Sequence, residues 1–226
     1  MYKLVALLPM KANSERVIGK NFKIFKTKPL YRWVLDKLLA LDEIDKVIIN
    51  TDASEILKLN GLPQSDKIII RERKLELCGD FVSMNKIIQD DINAVDAEKY
   101  LMTHTTNPLI SQETFSHAIS TYEELDINEF DSLFSVNKYQ SRFYNGGVQP
   151  LNHDPSNLIR TQDLPPLFEE NSCLYMFTRK SFEKTNARVG FKPKLYPTTF
   201  FESVDIDDAT NWSIAELYYD YLNKFK

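Results

Sequence analysis

Along most of the chain, short apolar runs alternate with segments whose apolar residues recur every three or four positions. LVALL (4–8) predicts a buried strand. KPLYRWVLDKLLAL (28–41) predicts a helix with Leu30, Val34, Leu38 and Leu41 on one face and Pro29 in its first turn. DKVIINTD (45–52) predicts a second strand, ASEILKLNG (53–61) a short helix closed by Gly61, and KIIIRE (67–72) a third strand. Met84, Ile88, Ile92 and Val95 mark one helical face over 81–95, and KYLMTH (99–104) returns to a strand. Ser111 can cap a helix reaching about Glu124, and DSLFSVNK (131–138) is a further strand. The repeated strand–helix alternation implies an α/β fold with a largely parallel sheet covered on both faces.

The pattern breaks between 139 and 170, where NGG, QPLNHDP and DLPP predict turns and short strands, a β-rich arm that could serve dimerisation. CLYMFTRKSF (173–182) then predicts a strand entering a short helix, and KLYPT (194–198) another strand. ESVDIDDATNWSIAELYYDYL (202–222) predicts a strand ending in acids before a last helix, where Tyr218, Tyr219 and Tyr221 fit packing positions. With 226 residues, 43% of them hydrophobic, one domain spanning 1–226 can bury a substantial core.

Charge narrows the function classes. A net charge of −4 with both signs interspersed excludes a surface built to bind nucleic acid, so any anion site must be local. Cys78 and Cys173 have no zinc-like spacing and are expected to be buried thiols in a reducing cytoplasm. The run Leu4–Leu8 is too short for a signal peptide core or a membrane span, and no later stretch approaches twenty apolar residues, so no membrane partner is expected.

In open α/β sheets, ligands bind beyond the carboxyl ends of the strands. Four chemistry-bearing pieces fall at such ends: PMKANSERVIGKN (9–21), NTD (50–52), THTTNP (103–108) and VDIDD (204–208). The first offers Lys11, Arg16, Lys20, the nearby Lys23, and the side chains of Asn13 and Ser14 as donors to a triphosphate, or is a solvated turn. It is no Walker A loop, because Ser14 stands where the first glycine belongs and Asn21 where a magnesium-binding hydroxyl should be. Asp205 and Asp207 alternate along a strand and so aim two hard oxygen ligands at one point, a magnesium pair, or else decorate a helix start that Asp208 caps. Asp52 could bind a ligand or cap a helix, and His104 could touch a ligand or be structural. Of Arg71 and Arg73, one is expected to reach an anionic ligand and the other to be exposed.

Taken in order, these pieces resemble the acylneuraminate cytidylyltransferase family of CMP-sialic acid synthetases, related to the CMP-Kdo synthetases. PMKANSERVIGKN is similar to the family's P-A-R-x-x-S-K-x-I-x-x-K-N loop, KPLYRWVLDKLL to its G-K-P-L-x-x-x-x-I helix, and VIINTD to V-x-V-S-T-D. RKLELCGDFVS resembles R-P-x-x-L-A-x-D-x-x-S, and THTTNPLI resembles L-Q-P-T-S-P-L-R. RTQDLPPLFEENSCLYMF is similar to the R-x-Q-x-L-P…N-G-A-I-Y element, and SVDIDD to the D-I-D metal motif. The resemblance covers nearly the whole chain. It implies a three-layer Rossmann-like nucleotide-diphospho-sugar transferase fold, a homodimer, and a reaction of CTP with an acidic 2-keto-3-deoxy sugar that gives a CMP-sugar and pyrophosphate with Mg²⁺.

Carried over position by position, the resemblance places Lys11, Asn13, Ser14, Lys20 and Asn21 on the triphosphate and Arg73, Asp80 and Ser83 on the cytidine side. His104, Arg160, Asn171 and Tyr175 would face the sugar, Asp205 and Asp207 would hold magnesium, and Lys20 and Asp207 would be catalytic. Three positions depart from the pattern. Lys11 replaces an arginine and loses its bidentate fork. His104 replaces a glutamine, and Glu169 or Glu170 stands where the sialic acid synthetases carry an arginine, which partly reverses the charge at the sugar end. A nucleotidyltransferase for another acceptor, a glycosyltransferase using the same aspartates, and a non-catalytic nucleotide-binding paralogue are the competing readings. SERVIGKN disfavours the glycosyltransferase, and retention of Lys20, Asp205 and Asp207 disfavours the silent paralogue.

Overall fold

The structure, a computed structural model, describes residues 1–224; positions 225 and 226 of the expected single domain lie outside the described residues. The described residues form nine strands and six helices, and all but the short β2 and β3 follow the predicted alternation. They are β1 (Tyr2–Leu7), β2 (Ile24–Phe25), β3 (Lys28–Pro29), α1 (Leu30–Leu39), β4 (Lys46–Thr51), α2 (Ser54–Leu59), β5 (Ile68–Glu72) and α3 (Met84–Ala94). Then come β6 (Ala97–Thr103), α4 (Gln112–Glu123), β7 (Ser132–Tyr139), β8 (Leu167–Phe177), α5 (Arg179–Thr185), β9 (Pro193–Pro197) and α6 (Ala209–Asn223).

Seven strands form one sheet in the order β5-β4-β1-β6-β8-β7-β9. Strands β1, β4, β5 and β6 are mutually parallel, as are β7 and β9, while β8 runs antiparallel to both β6 and β7. Alternate residues of β1 divide between the two faces. Leu4, Ala6 and Leu8 pack with Val34, Leu35 and Leu38 of α1 and Phe115 and Ile119 of α4, whereas Val5 and Leu7 pack with Ile88 and Ile92 of α3 and Phe182 of α5. A third cluster joins Phe25 and Leu30 to Ile206 and Trp212, and so carries α6 back to the opening loop.

The structure differs from the sequence pattern in four places. Pro29 does not sit in the first turn of α1; it precedes the helix as its cap residue, and Lys28–Pro29 pairs instead with Ile24–Phe25. The DID segment is not a ladder strand: Ile206 is held by its N–H on the Thr106 carbonyl at 2.8 Å, by its own carbonyl, which accepts from Lys20, and by burial of its side chain. Between β7 and β8 the chain has one isolated bridge, Tyr144 with Pro150, and a 3-10 turn at Thr161–Asp163, while 167–170 belong to the central sheet. Cys173 is buried as expected, but Cys78 is half-exposed. Among the described residues no helix is long and apolar enough to cross a membrane.

Candidate active site

The carboxyl ends of β1, β4 and β6 open onto one crevice, and the four pieces singled out in the sequence meet there. The loop after β1 folds back on itself through turns at Val17–Lys20 and Gly19–Phe22, with Gly19 at φ +60°, a conformation that a side chain disfavours. Three bonds fasten it. Asp52 Oδ1 accepts from the Ala12 N–H at 2.7 Å, Asn21 Nδ2 donates to the Lys11 carbonyl at 2.8 Å, and Thr105 Oγ1 donates to Asn21 Oδ1 at 2.6 Å. Asp52 therefore does not cap α2, whose cap residue is Ala53; one of its oxygens holds the loop, and the side chain lines a cavity. Asn21 works from below the loop, as a staple to the end of β6.

Two adjoining cavities of about 230 Å³ each lie under this loop. Lys11, Ser14, Arg73 and Asp80 line both; Asn13 and Asp52 belong to one, and Lys20, Asn21 and His104 to the other. Lys11 is ion-paired with Asp80, whose carboxyl is held below its usual range by the hydrogen bond and charge of Lys11. The ammonium at the departure point of the signature thus already has a partner across the cavity. Ser83 is exposed at the start of α3, between Val82 and Met84, which line the cavity.

Lys20 is buried; its Nζ donates to the Ile206 carbonyl at 2.7 Å and lies 3.4 Å from Asp207 Oδ1, and Arg16 approaches Asp207 Oδ2 at 3.3 Å. Asp205 is the unusual member: its Oδ1 is buried with no hydrogen-bond partner among the described residues, and burial holds its carboxyl above the ordinary range despite a bond from Thr106. An orphaned carboxylate oxygen beside a second carboxylate fits a hard divalent cation that takes few protein ligands and completes its shell from phosphate and water. No group of three or more His, Cys, Asp or Glu residues able to hold a metal occurs among the described residues.

At the far end of the crevice, His104 Nε2 lies 3.1 Å from Arg188 Nη1. Burial, then the charges of Arg188 and Lys20, push its pKa down to about 3, so the ring is neutral at physiological pH. Arg188 stacks at 3.8 Å on the Tyr175 ring and donates to Glu170 at 3.1 Å. Sequence reasoning missed Arg188, because it lies on the connection between α5 and β9 and belongs to no quoted motif. Arg188 thus brings a positive charge from that connection to Glu170, one of the two positions where the family pattern has an arginine.

Asn171 and Tyr175, placed at the sugar by resemblance, are turned into the protein here. Tyr175 is fully buried with its hydroxyl on Glu170, and Asn171 is bound to Asn137 at 3.0 Å and Thr198 at 2.7 Å. Both sit where β8 bulges against β7, with Ser172 at φ +61°. Arg160 is not brought to the crevice of its own chain: it is exposed and paired with Asp163 at 2.7 Å. Nor is Arg71 exposed; it is ion-paired with Asp90 and Asp91, while Arg73 is the one of the two that lines the cavities.

A second missed residue anchors the acidic segment. Glu202 accepts from the Ser111 N–H at 2.9 Å and the Thr114 hydroxyl at 2.6 Å, tying the approach to Asp205 onto the start of α4. Burial raises its pKa, but bonds from Thr114, Ser111 and Thr199 outweigh this and hold it below the ordinary value. With a folded-state pKa below the unfolded one, its contribution is complete above the unfolded pKa and is lost as pH falls through the folded value. Glu202→Gln should therefore lower Tm by a few degrees at pH 7, on the scale of about 1–2 kcal/mol for charge-assisted bonds. Thermal melts of the two proteins should begin to converge only as pH falls below the unfolded carboxyl pKa of about 4.3, and should coincide below the lowered folded value.

Comparison with known proteins places the chain. The family described as Cytidylyltransferase matches residues 5–222. The chain is similar to the N-acylneuraminate cytidylyltransferase of Oncorhynchus mykiss, 29% identical over 222 residues that cover 94% of this chain and 49% of that protein. This chain thus spans about half of that relative's length. It is also 24% identical over 191 residues to the pseudaminic acid cytidylyltransferase of Campylobacter jejuni, covering 80% of each. In fold it is similar to the 4-diphosphocytidyl-2C-methyl-D-erythritol synthase of Anaerococcus prevotii, with a TM-score of 0.69 and 13% identity over 97% of this chain and 96% of that one. A match from the first strand to the last helix, on the sheet whose strand ends carry the crevice, leaves one assignment: the chain belongs to the cytidylyltransferase family.

Proposed function

We propose that the chain activates an acidic 2-keto-3-deoxy sugar, a nonulosonic acid or a relative of one, by transferring CMP to it from CTP with release of pyrophosphate. The observation that carries this reading is the meeting of the buried Lys20 with Asp205 and Asp207 below a basic loop at the strand ends. Lys20, Arg16 and Lys11 bring positive charge to where a triphosphate would lie, and a buried ammonium acts on a departing pyrophosphate more strongly than one in water. Asp207 is placed to take the proton of the attacking anomeric hydroxyl. Asp205 and Asp207 would hold Mg²⁺, which when bound neutralises phosphate charge. In-line displacement then rests on positioning and electrostatics.

At the acceptor end, Arg188 supplies the cation for an acidic substrate, and neutral His104 supplies a hydrogen bond without adding charge. A homodimer in which the 140–166 segment contacts a second copy is part of this reading; its exposed Tyr144, Leu151 and Leu158 support an interface there. Both cysteines are free thiols, in keeping with a reducing cytoplasm.

Pyrophosphate release measured with the four nucleoside triphosphates against a panel of 2-keto sugar acids is expected to require CTP, Mg²⁺ and an acid acceptor together. Activity with UTP or GTP in place of CTP would sink the base assignment. CTP binding without product across the panel would favour the non-catalytic paralogue.

A further inference from the structure

Beneath the two cavities lies a polar pair with no role in the reaction as described. Asn50, next to last in β4, and Asp91, in α3, both have no exposed surface. Asn50 Nδ2 donates to Asp91 Oδ1 at 2.7 Å, and Asn50 Oδ1 accepts from Arg73 Nε at 2.9 Å. Arg71 donates to the same Asp91 oxygen and, at 2.7 Å, to Asp90. Arg73 Nη2 is held by the carbonyls of Asn50 at 2.8 Å and Met10 at 3.1 Å. Of the guanidinium nitrogens, Nη1 alone has no acceptor among the described residues, on a side chain that lines both cavities.

The arrangement admits one orientation of the Asn50 amide. Flipped, it would set an N–H₂ against the Arg73 N–H and a carbonyl oxygen against the Asp91 carboxylate, two repulsive contacts between buried groups. Asp91 thereby orients Asn50, and Asn50 fixes the plane of the Arg73 guanidinium. A buried carboxylate whose other oxygen, Oδ2, has no partner is costly to keep for packing alone, since an apolar residue would fill the same space.

We infer that Asn50 and Asp91 are positioning residues that hold Arg73 so that Nη1 stands as a fixed donor to an oxygen of the bound nucleotide. This rests on reading the crevice as a CTP site. Isothermal titration with CTP, alongside steady-state kinetics, tests it. Asn50→Ala should weaken CTP binding about tenfold and raise KM for CTP in step, with kcat reduced less than threefold. In an Arg73→Lys background the same substitution should cost less than twofold, because the group it works through is gone. Equal losses in the two backgrounds would overturn the relay and leave Asn50 a packing residue.

Should Asn50→Ala fail to fold, Asn50→Asp carries the test. It places two carboxylates together and should weaken CTP binding about tenfold, but less than twofold in the Arg73→Lys background. Equal losses in the two backgrounds would count against the relay. Titration with inorganic tripolyphosphate locates the oxygen: a loss confined to CTP puts it on the nucleoside, and a loss with both ligands puts it on the phosphates. If the unsubstituted protein binds no CTP, the nucleotide reading falls and the relay with it. If it binds CTP and the variants bind CTP as tightly, the relay falls alone.

Discussion

Lys20→Met should slow pyrophosphate release from CTP by about 10²–10³-fold, the usual loss on removing one preorganised charge-stabilising donor. Methionine keeps most of the unbranched stem, so the change is close to removal of the ammonium alone. That ammonium is buried and fixed by the Ile206 carbonyl at 2.7 Å and by Asp207. A cation held this way needs no reorganisation as negative charge develops on the leaving group. Coupled phosphate detection gives the rate, and a melt within a few degrees of the unsubstituted protein shows that the fold survives. Undiminished kcat would remove Lys20 from the mechanism.

Asp207→Ala should bring turnover below about one part in 10³, since it removes a proposed proton acceptor, one of two proposed Mg²⁺ ligands, and the shared partner of Lys20 and Arg16. The Asp207 side chain is 45% exposed and packs little, so circular dichroism and melting should change only slightly. Asp205→Ala provides the contrast. Its carboxylate is buried with an orphaned oxygen, so alanine should abolish turnover without loss of stability, because an unsatisfied buried charge is removed along with the ligand. A variant at Asp207 with unchanged kcat and unchanged Mg²⁺ dependence would refute the metal role.

The alternating pattern made most of the fold legible, because strands buried on both faces read as continuous apolar runs and α1, α3 and α4 carry 3.6-residue stripes. The reversed direction of β8 was not legible: an apolar run such as CLYMF reads the same in either orientation. The nucleotide half of the crevice was visible because it is built from local motifs at strand ends. What stayed hidden depended on contacts distant in sequence. Arg188 meets Glu170 across 18 positions and His104 across 84, and Asn50 meets Asp91 across 41. The burial of Asn171 and Tyr175 was not legible either, since a shared motif does not say which way a bulged strand turns its side chains.

The reversed strand has a consequence for how this protein can change. Because β8 runs against β6, pairing Thr103 with Leu174, its early residues lie beyond the carboxyl end of β6 and carry Glu170, the partner of Arg188, to the far end of the crevice. One of the two cavities under the opening loop is lined by residues between Lys11 and Asp80, on the connections that follow β1, β4 and β5. Under the proposed function, changes in early β8 and in the α5–β9 connection would thus alter acceptor choice with little effect on CTP. Chimeras exchanging 140–192 between relatives should transfer sugar preference without altering the KM for CTP.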